Sequence, residues 1–243
     1  MVNDRFETII LIGRPAAGKS EVIDFLKKTG EAERARRFHI GPFTELDDFP
    51  FVWETFEIDD ILERMGQPRV FTDSKYFFTG PHVWNMFIER INLEFRKRLA
   101  RDAQFTTKQT VVVEFSRGGD NGFGEAFALL GDEILSRAGI VYINVSYEES
   151  CRKNRRRFDP KQADSILFHG LPDEKMAFYY KTNDWERLSG GRKAGTMKVR
   201  GCDVPFAVFD NEPEQTDSPA KLGPALEDVF TRLWNQLRPA TAK

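Results

Sequence analysis

Residues 13–20 read Gly-Arg-Pro-Ala-Ala-Gly-Lys-Ser, which fits G-x-x-x-x-G-K-[ST]. Its two glycines let the backbone curl so that amide N–H groups point inward at phosphate oxygens. The apolar run Thr8 to Ile12 precedes it and a helical pattern, Lys19 to Thr29, follows, the context such a loop needs. The N-terminal end of that helix adds positive potential. Gly13, Arg14, Pro15, Ala16, Ala17, Gly18, Lys19 and Ser20 are therefore expected to cradle the phosphates of ATP. Lys19 reaches the β and γ phosphates in this reading, and the Ser20 hydroxyl ligates Mg²⁺.

A second chemical feature is Thr110-Val111-Val112-Val113-Glu114, an apolar run ending in a carboxylate, followed by Phe115-Ser116-Arg117. An acid at such a strand tip beside a phosphate loop holds a metal-bound water or accepts a proton. Glu114 is the expected acid and second metal-side ligand, and Arg117 the guanidinium that grips phosphate. A strand-end glutamate that only caps or solvates is the plainer alternative.

A third feature is the run Cys151 to Phe158, which holds Arg152, Lys153, Arg155, Arg156 and Arg157. Arg152, Arg155 and Arg156 share one helical face, and Arg157 projects from another. Five cations so close repel one another unless water or an anion screens them. Arg152 and Arg156 are the residues expected to close over a triphosphate; a solvated basic face is the alternative. Trp53, Phe56, Phe77, Phe78 and Trp84 either stack a base or fill core.

These residues need a scaffold, and the chain supplies one. Thr8–Ile12, Thr110–Val113, Ile140–Val145 and Phe206–Phe209 are β-branched or aromatic runs without alternation, which predicts strands covered on both faces; Phe38–Ile40 is a weaker fifth strand. Helical patterns over Pro81–Ala103, Glu125–Arg137, Glu148–Arg157, Asp173–Leu188 and a last stretch ending before Pro239 alternate with them, so the fold class is α/β with a mostly parallel sheet. About 70 residues separate the second and third strands, more than one crossover needs, which predicts a helical insertion. Residues 189–203, glycine-rich and basic, form a loop or a hairpin turning near Gly201.

Composition bounds the partners. The 243 residues carry 36 basic and 38 acidic side chains, a net charge of −2, which disfavours a chain devoted to a nucleic-acid backbone. No apolar run reaches the roughly 20 residues of a membrane span. The N-terminus has no cleavable signal pattern. Cys151 and Cys202 cannot make a disulfide framework, and the location expected is cytoplasmic. His39, His82 and His169 are too dispersed for a metal site.

With these motifs in view, the chain resembles the P-loop kinases of the nucleoside and nucleoside-monophosphate kinase superfamily. Gly13 to Ser20 has the Gly-x-Pro opening common in that group, and Val113 to Arg117 is similar to its third-strand segment. Ile140–Val145 with Glu148–Arg157 is similar to its fourth strand and the helix leading into its lid. Phe206 to Asn211 is similar to its last strand and the loop near the adenine. The Asp-Gly-Phe-Pro-Arg run of adenylate-type kinases is absent. The resemblance implies a single domain, 1–243, with a five-stranded mostly parallel sheet, a helical acceptor-binding insertion at 42–109 and a basic lid-like region at 151–203. It implies transfer of the γ-phosphoryl of ATP to a small acceptor, a nucleoside or nucleotide first, with Lys19, Glu114, Arg117, Arg152 and Arg156 catalytic and Asn211 near the nucleotide. In nucleoside-type kinases an Asp after the second strand takes the acceptor proton, a role open to Asp47 or Asp48, with Asp48 the first choice.

Three competing classes are weighed. Leu188-Ser189-Gly190-Gly191-Arg192 mimics an ABC-transporter signature and Phe209 to Pro213 mimics its acidic partner strand, but Gly195, Gly201 and Pro205 break the long helix that signature must open. A polynucleotide kinase-like enzyme or nucleic-acid-coupled ATPase would use the Arg152–Arg157 run as a backbone groove. An ATP-binding regulatory protein would hydrolyse only weakly.

Overall fold

The computed structural model describes residues 4–157 and 170–237. Residues 158–169 of the expected lid, His169 among them, lie outside the described residues. The strands are β1 (Thr8–Gly13), β2 (Phe43–Asp47), β3 (Thr110–Phe115), β4 (Ala138–Asn144), β5 (Ala194–Val199) and β6 (Cys202–Asp210). They form a six-stranded sheet in the order β2-β3-β1-β4-β6-β5. Every pairing is parallel except β5 with β6. The strand beyond the five expected, β5, is the antiparallel edge, in a hairpin with β6 whose turn, Arg200-Gly201, has φ of 48° and 84°. Thus 189–203 supplies the hairpin form of its two sequence readings.

The strand patterns explain the layers. Ile10 and Ile12 of β1 point into one core with Val111, Val113 and Phe115. Ile9 and Leu11 point into the other with Val112. Period-two alternation therefore serves two apolar faces rather than one, which is why these runs show no polar positions. Helices α1 (Lys19–Lys28), α2 (Glu31–Phe38) and α11 (Pro219–Leu237) border the second core. The insertion supplies α3 (Phe49–Arg64), α4 (Pro81–Arg101) and the short α5 (Phe105–Lys108), and α4 buries Ile88, Ile91 and Phe95 in the first core.

Three local expectations are corrected. Phe38 to Ile40 is not a strand: Phe38 closes α2, packed on Phe25 and Phe230 at ring distances of 6.0 and 5.9 Å. His39, at φ 55°, turns the chain, and β2 starts only after Pro42. The pattern Glu125–Arg137 is two helices, α6 (Gly122–Leu129) and α7 (Asp132–Leu135). The buried Asn92 of α4 parts them, donating to Leu129 O at 2.8 Å and accepting from Gly131 N at 2.8 Å. After α8 (Tyr147–Arg157), the pattern Asp173–Leu188 divides into α9 (Asp173–Tyr180) and α10 (Trp185–Ser189). Between them the buried Asp184 carboxylate accepts from Phe123 N at 3.0 Å and Gly124 N at 2.8 Å in the first turn of α6. The ABC-like Leu188 to Arg192 stretch closes α10, with Gly190 at φ 62°, instead of opening a helix.

Candidate active site

The carboxyl ends of parallel strands collect the candidate residues, as expected where strand order reverses in a doubly wound sheet. The loop from Gly13 to Gly18 leaves β1 and enters α1, with Gly18 at φ 118° and Ala16 at φ 54°. Gly13 is packed so closely that a Cβ there would lie 2.8 Å from Ile143 O, so glycine is required by the neighbouring strand. The amides of Lys19 and Ser20 belong to the first turn of α1, where a helix has no internal acceptors. Ser20 is exposed there.

Lys19 is buried. Its ammonium donates to Ser116 Oγ at 2.7 Å and Arg14 O at 3.3 Å, and stands 3.9 Å from Glu114 Oε1. Burial lowers its pKa, opposed by the Glu114 and Asp47 charges and reinforced by Arg157. Glu114 sits in register with Asp47 on β2 and with Leu11 on β1. Burial raises its pKa against the pull of Lys19, with the Asp48 and Glu45 charges adding to the rise. Asp47, the last residue of β2, is pushed up to about 8 by burial and by the Glu114 and Asp48 charges. One Asp47 oxygen accepts from Phe49 N at 2.9 Å at the start of α3, which fixes the carboxyl at the sheet edge.

Asp48 and Arg117 are paired with each other. Arg117 Nη1 donates to Asp48 Oδ2 at 2.5 Å and to Ser116 O at 2.6 Å, and Nη2 donates to Trp84 O at 3.2 Å. The guanidinium lies 4.9 Å above the Trp84 ring, and Arg117 and Asp48 are each 5% exposed. A guanidinium so engaged is a buried anchor between the insertion and β3, and Asp48 is its counter-ion. Asp47 pairs in register with Glu114, and the charges of both aspartates act on Lys19. Sequence reasoning left the pair open; strand parity is the signal that separates them, because Leu46 faces the first core and Asp47 the opposite side. Trp53, Phe56, Phe78 and Trp84 pack among themselves, with Phe56 and Phe78 stacked at 5.6 Å and Phe78 edge-on to Trp84 at 4.7 Å; Phe77 lies 5.9 Å from Tyr179.

The arginine run is sorted by its partners. Arg152 pairs with Glu149 at 2.6 Å and with Glu214 at 3.1 Å, and Arg156 pairs with Glu214 at 2.6 Å. Burial raises the Glu214 carboxyl, but Arg156, Lys153 and Arg152 outweigh it and bring it down to about 2. Arg155 pairs with Asp173 at 2.8 Å. Arg157, expected on a face away from the site, reaches Glu21 in the first turn of α1 at 3.3 Å, and its charge acts on both Lys19 and Glu114. Arg152 and Arg156 thus hold α8 to the segment after β6, and Arg157 is the α8 arginine paired with the helix that follows the phosphate loop. Asn211, expected beside the nucleotide, is fully buried beneath the loop, with Nδ2 donating to Ala17 O at 2.7 Å.

Mg²⁺ fits this donor set. A hydroxyl and two crowded carboxyls with raised pKa values are hard oxygen donors whose repulsion a divalent cation relieves. Among the described residues no group of three or more His, Cys, Asp or Glu is arranged to hold a metal ion.

Sheet order, the Gly13–Ser20 loop and the acid on the neighbouring strand define a P-loop α/β fold. No protein-family model and no curated protein matches the chain. Solved structures similar to it include Kti12 of Chaetomium thermophilum in complex with ADP-AlF3, 12% identical over 94% of this chain and 98% of that one, with a TM-score of 0.49. Shikimate kinase from Acinetobacter baumannii in complex with shikimate is 14% identical over 97% and 95%, with a TM-score of 0.39. A sugar kinase from Janibacter sp. is 11% identical over 97% and 98%, with a TM-score of 0.42. No helix among the described residues is long and apolar enough to cross a membrane.

Proposed function

We propose that the chain is an ATP-dependent phosphotransferase that moves the γ-phosphoryl group to a hydroxyl of a small acceptor, a nucleoside or nucleotide first among the classes to test. The observation that carries this reading is the convergence of Lys19, Glu114 and Asp47 at one sheet edge beside the phosphate loop. Loop amides and Lys19 bind the triphosphate. Asp47 takes the proton of the acceptor hydroxyl, and its raised pKa suits a base working near neutrality. Glu114 and Ser20 stand on the metal side, and Mg²⁺ supplies charge neutralisation of the phosphoryl group when bound. Arg157 adds positive charge at the mouth of the loop.

The ion pairing of Arg152, Arg155 and Arg156 with Glu214, Glu149 and Asp173 weighs against the nucleic-acid reading, because a backbone groove needs cations available to phosphates. ADP release measured across nucleosides, nucleotides, small polyols and RNA tests the reading. Stimulation by a small hydroxyl compound supports it. Stimulation by RNA alone replaces it with the nucleic-acid-coupled ATPase.

A further inference from the structure

Asn211 opens the segment that leaves β6, and its side chain lies wholly inside the protein at 0% exposure. A primary amide can make four hydrogen bonds, two given and two received. Here all four are made. Nδ2 donates to Ala17 O at 2.7 Å and to Thr216 Oγ1 at 3.0 Å. Oδ1 accepts from Gln215 N at 2.7 Å and from Thr216 N at 3.2 Å. The backbone N–H of Asn211 donates to Asn144 O of β4 at 3.0 Å, so the amide is mounted on the sheet.

The amide also packs against the loop. A Cβ added at Gly18 would meet Asn211 Nδ2 at 2.7 Å and Thr216 Cγ2 at 2.9 Å. Gly18 lacks a side chain at the point where Asn211 presses, and it has the left-handed φ of 118° that starts α1. The carbonyl of Ala17 and the N–H of Gly18 belong to one peptide plane, so fixing the direction of one fixes the other. The Ala17 carbonyl is turned down onto Nδ2, which turns the Gly18 N–H to the opposite side.

We infer that Asn211 is a positioning residue of the phosphate loop: by holding the Ala17 carbonyl it sets the peptide orientation in which the Gly18 amide faces a bound phosphate chain. The assignment rests on the phosphate-loop reading above and deepens it. The neighbouring acid Glu214, gripped by Lys153, Arg152 and Arg156 of α8, keeps the 211–216 segment in place. Asn211 itself touches no substrate in this assignment.

The test compares ATP, inorganic triphosphate and adenosine as titrants of wild type, Asn211→Asp and Asn211→Ala. Asn211→Asp keeps the shape and reverses the polarity facing the Ala17 carbonyl; Asn211→Ala removes the contact without burying a charge. The expected result is that ATP and triphosphate bind about tenfold to a hundredfold more weakly to both variants, with adenosine binding unchanged. A structural role alone would lower the melting temperature and leave the phosphate-dependent affinity of the folded variants as in wild type, which overturns the inference. Failure of both variants to fold makes Asn211 a determinant of the fold and overturns it equally. If wild type binds ATP no better than adenosine, the phosphate-loop reading itself fails, a result separate from either.

Discussion

Asp47 and Glu114 are cross-strand neighbours at the carboxyl edge of the sheet, one ending β2 and the other next to last on β3. Asp47 is pushed up to about 8 by burial and by the Glu114 and Asp48 charges. The folded chain therefore binds a proton that the unfolded chain releases near its ordinary value of 3.8. By linkage, the Asp47 contribution to stability is fully present below the unfolded value and is lost as pH rises toward 8, at a slope of up to about 1.4 kcal/mol per pH unit. Chemical denaturation at a series of pH values checks this. Wild type is expected to lose stability relative to Asp47→Asn as pH rises through that window. Parallel curves would remove the shared-proton picture.

Lys19 is the cation of this cluster, and a buried one rather than a loose surface charge. Lys19→Ala is expected to reduce ATP turnover by roughly 10² to 10⁴. It also removes the cation that steadies Glu114, so the carboxyl titration of the apo chain moves upward. Glu114→Gln is expected to cut kcat by roughly 10² to 10⁴ with a much smaller change in ATP affinity, and to move the Asp47 midpoint down. Steady-state kinetics and carboxyl titration by isotope-edited spectroscopy read the two effects.

Asp48→Asn isolates the anchor from the site. It leaves the buried Arg117 guanidinium without its counter-ion, and removing one partner of such a pair costs about 3–5 kcal/mol. A large drop in stability is expected, with acceptor-dependent turnover preserved in the fraction that folds. Unchanged stability together with loss of turnover would return Asp48 to the role of acceptor base.

Among the arginines of α8, Arg157→Ala is expected to lower kcat by roughly 10², with a smaller change in ground-state ATP binding. Arg152→Ala and Arg156→Ala release Glu214 and are expected to act mainly on stability. These are exposed pairs, so each effect is small. Equal kinetic losses in all three variants would end the distinction.

The sequence made the phosphate loop and the four inner strands legible because each is local: glycine spacing names the loop, and unbroken β-branched runs name strands buried on both faces. It did not make the strand-two boundary legible, because Phe38 has a strand-former's side chain yet serves helix packing against Phe25 and Phe230. The helix breaks at Gly131 and Asp184 escaped for a related reason. Asn92 and Asp184 satisfy backbone groups many residues away, and no local period records that. The arginine roles were hidden too, since helical phase groups Arg152 with Arg156 but the partners Glu214 and Glu21 come from distant segments.

The most direct test of the proposed phosphoryl transfer is acceptor-dependent ADP release by wild type and Asp47→Asn, with ATP binding measured on the same samples. The expected result is a small hydroxyl-bearing acceptor that stimulates wild type, and an Asp47→Asn variant that binds ATP normally but loses roughly 10² or more of that stimulation. An Asp47→Asn variant as active as wild type, or a wild type that no hydroxyl acceptor stimulates, would contradict it.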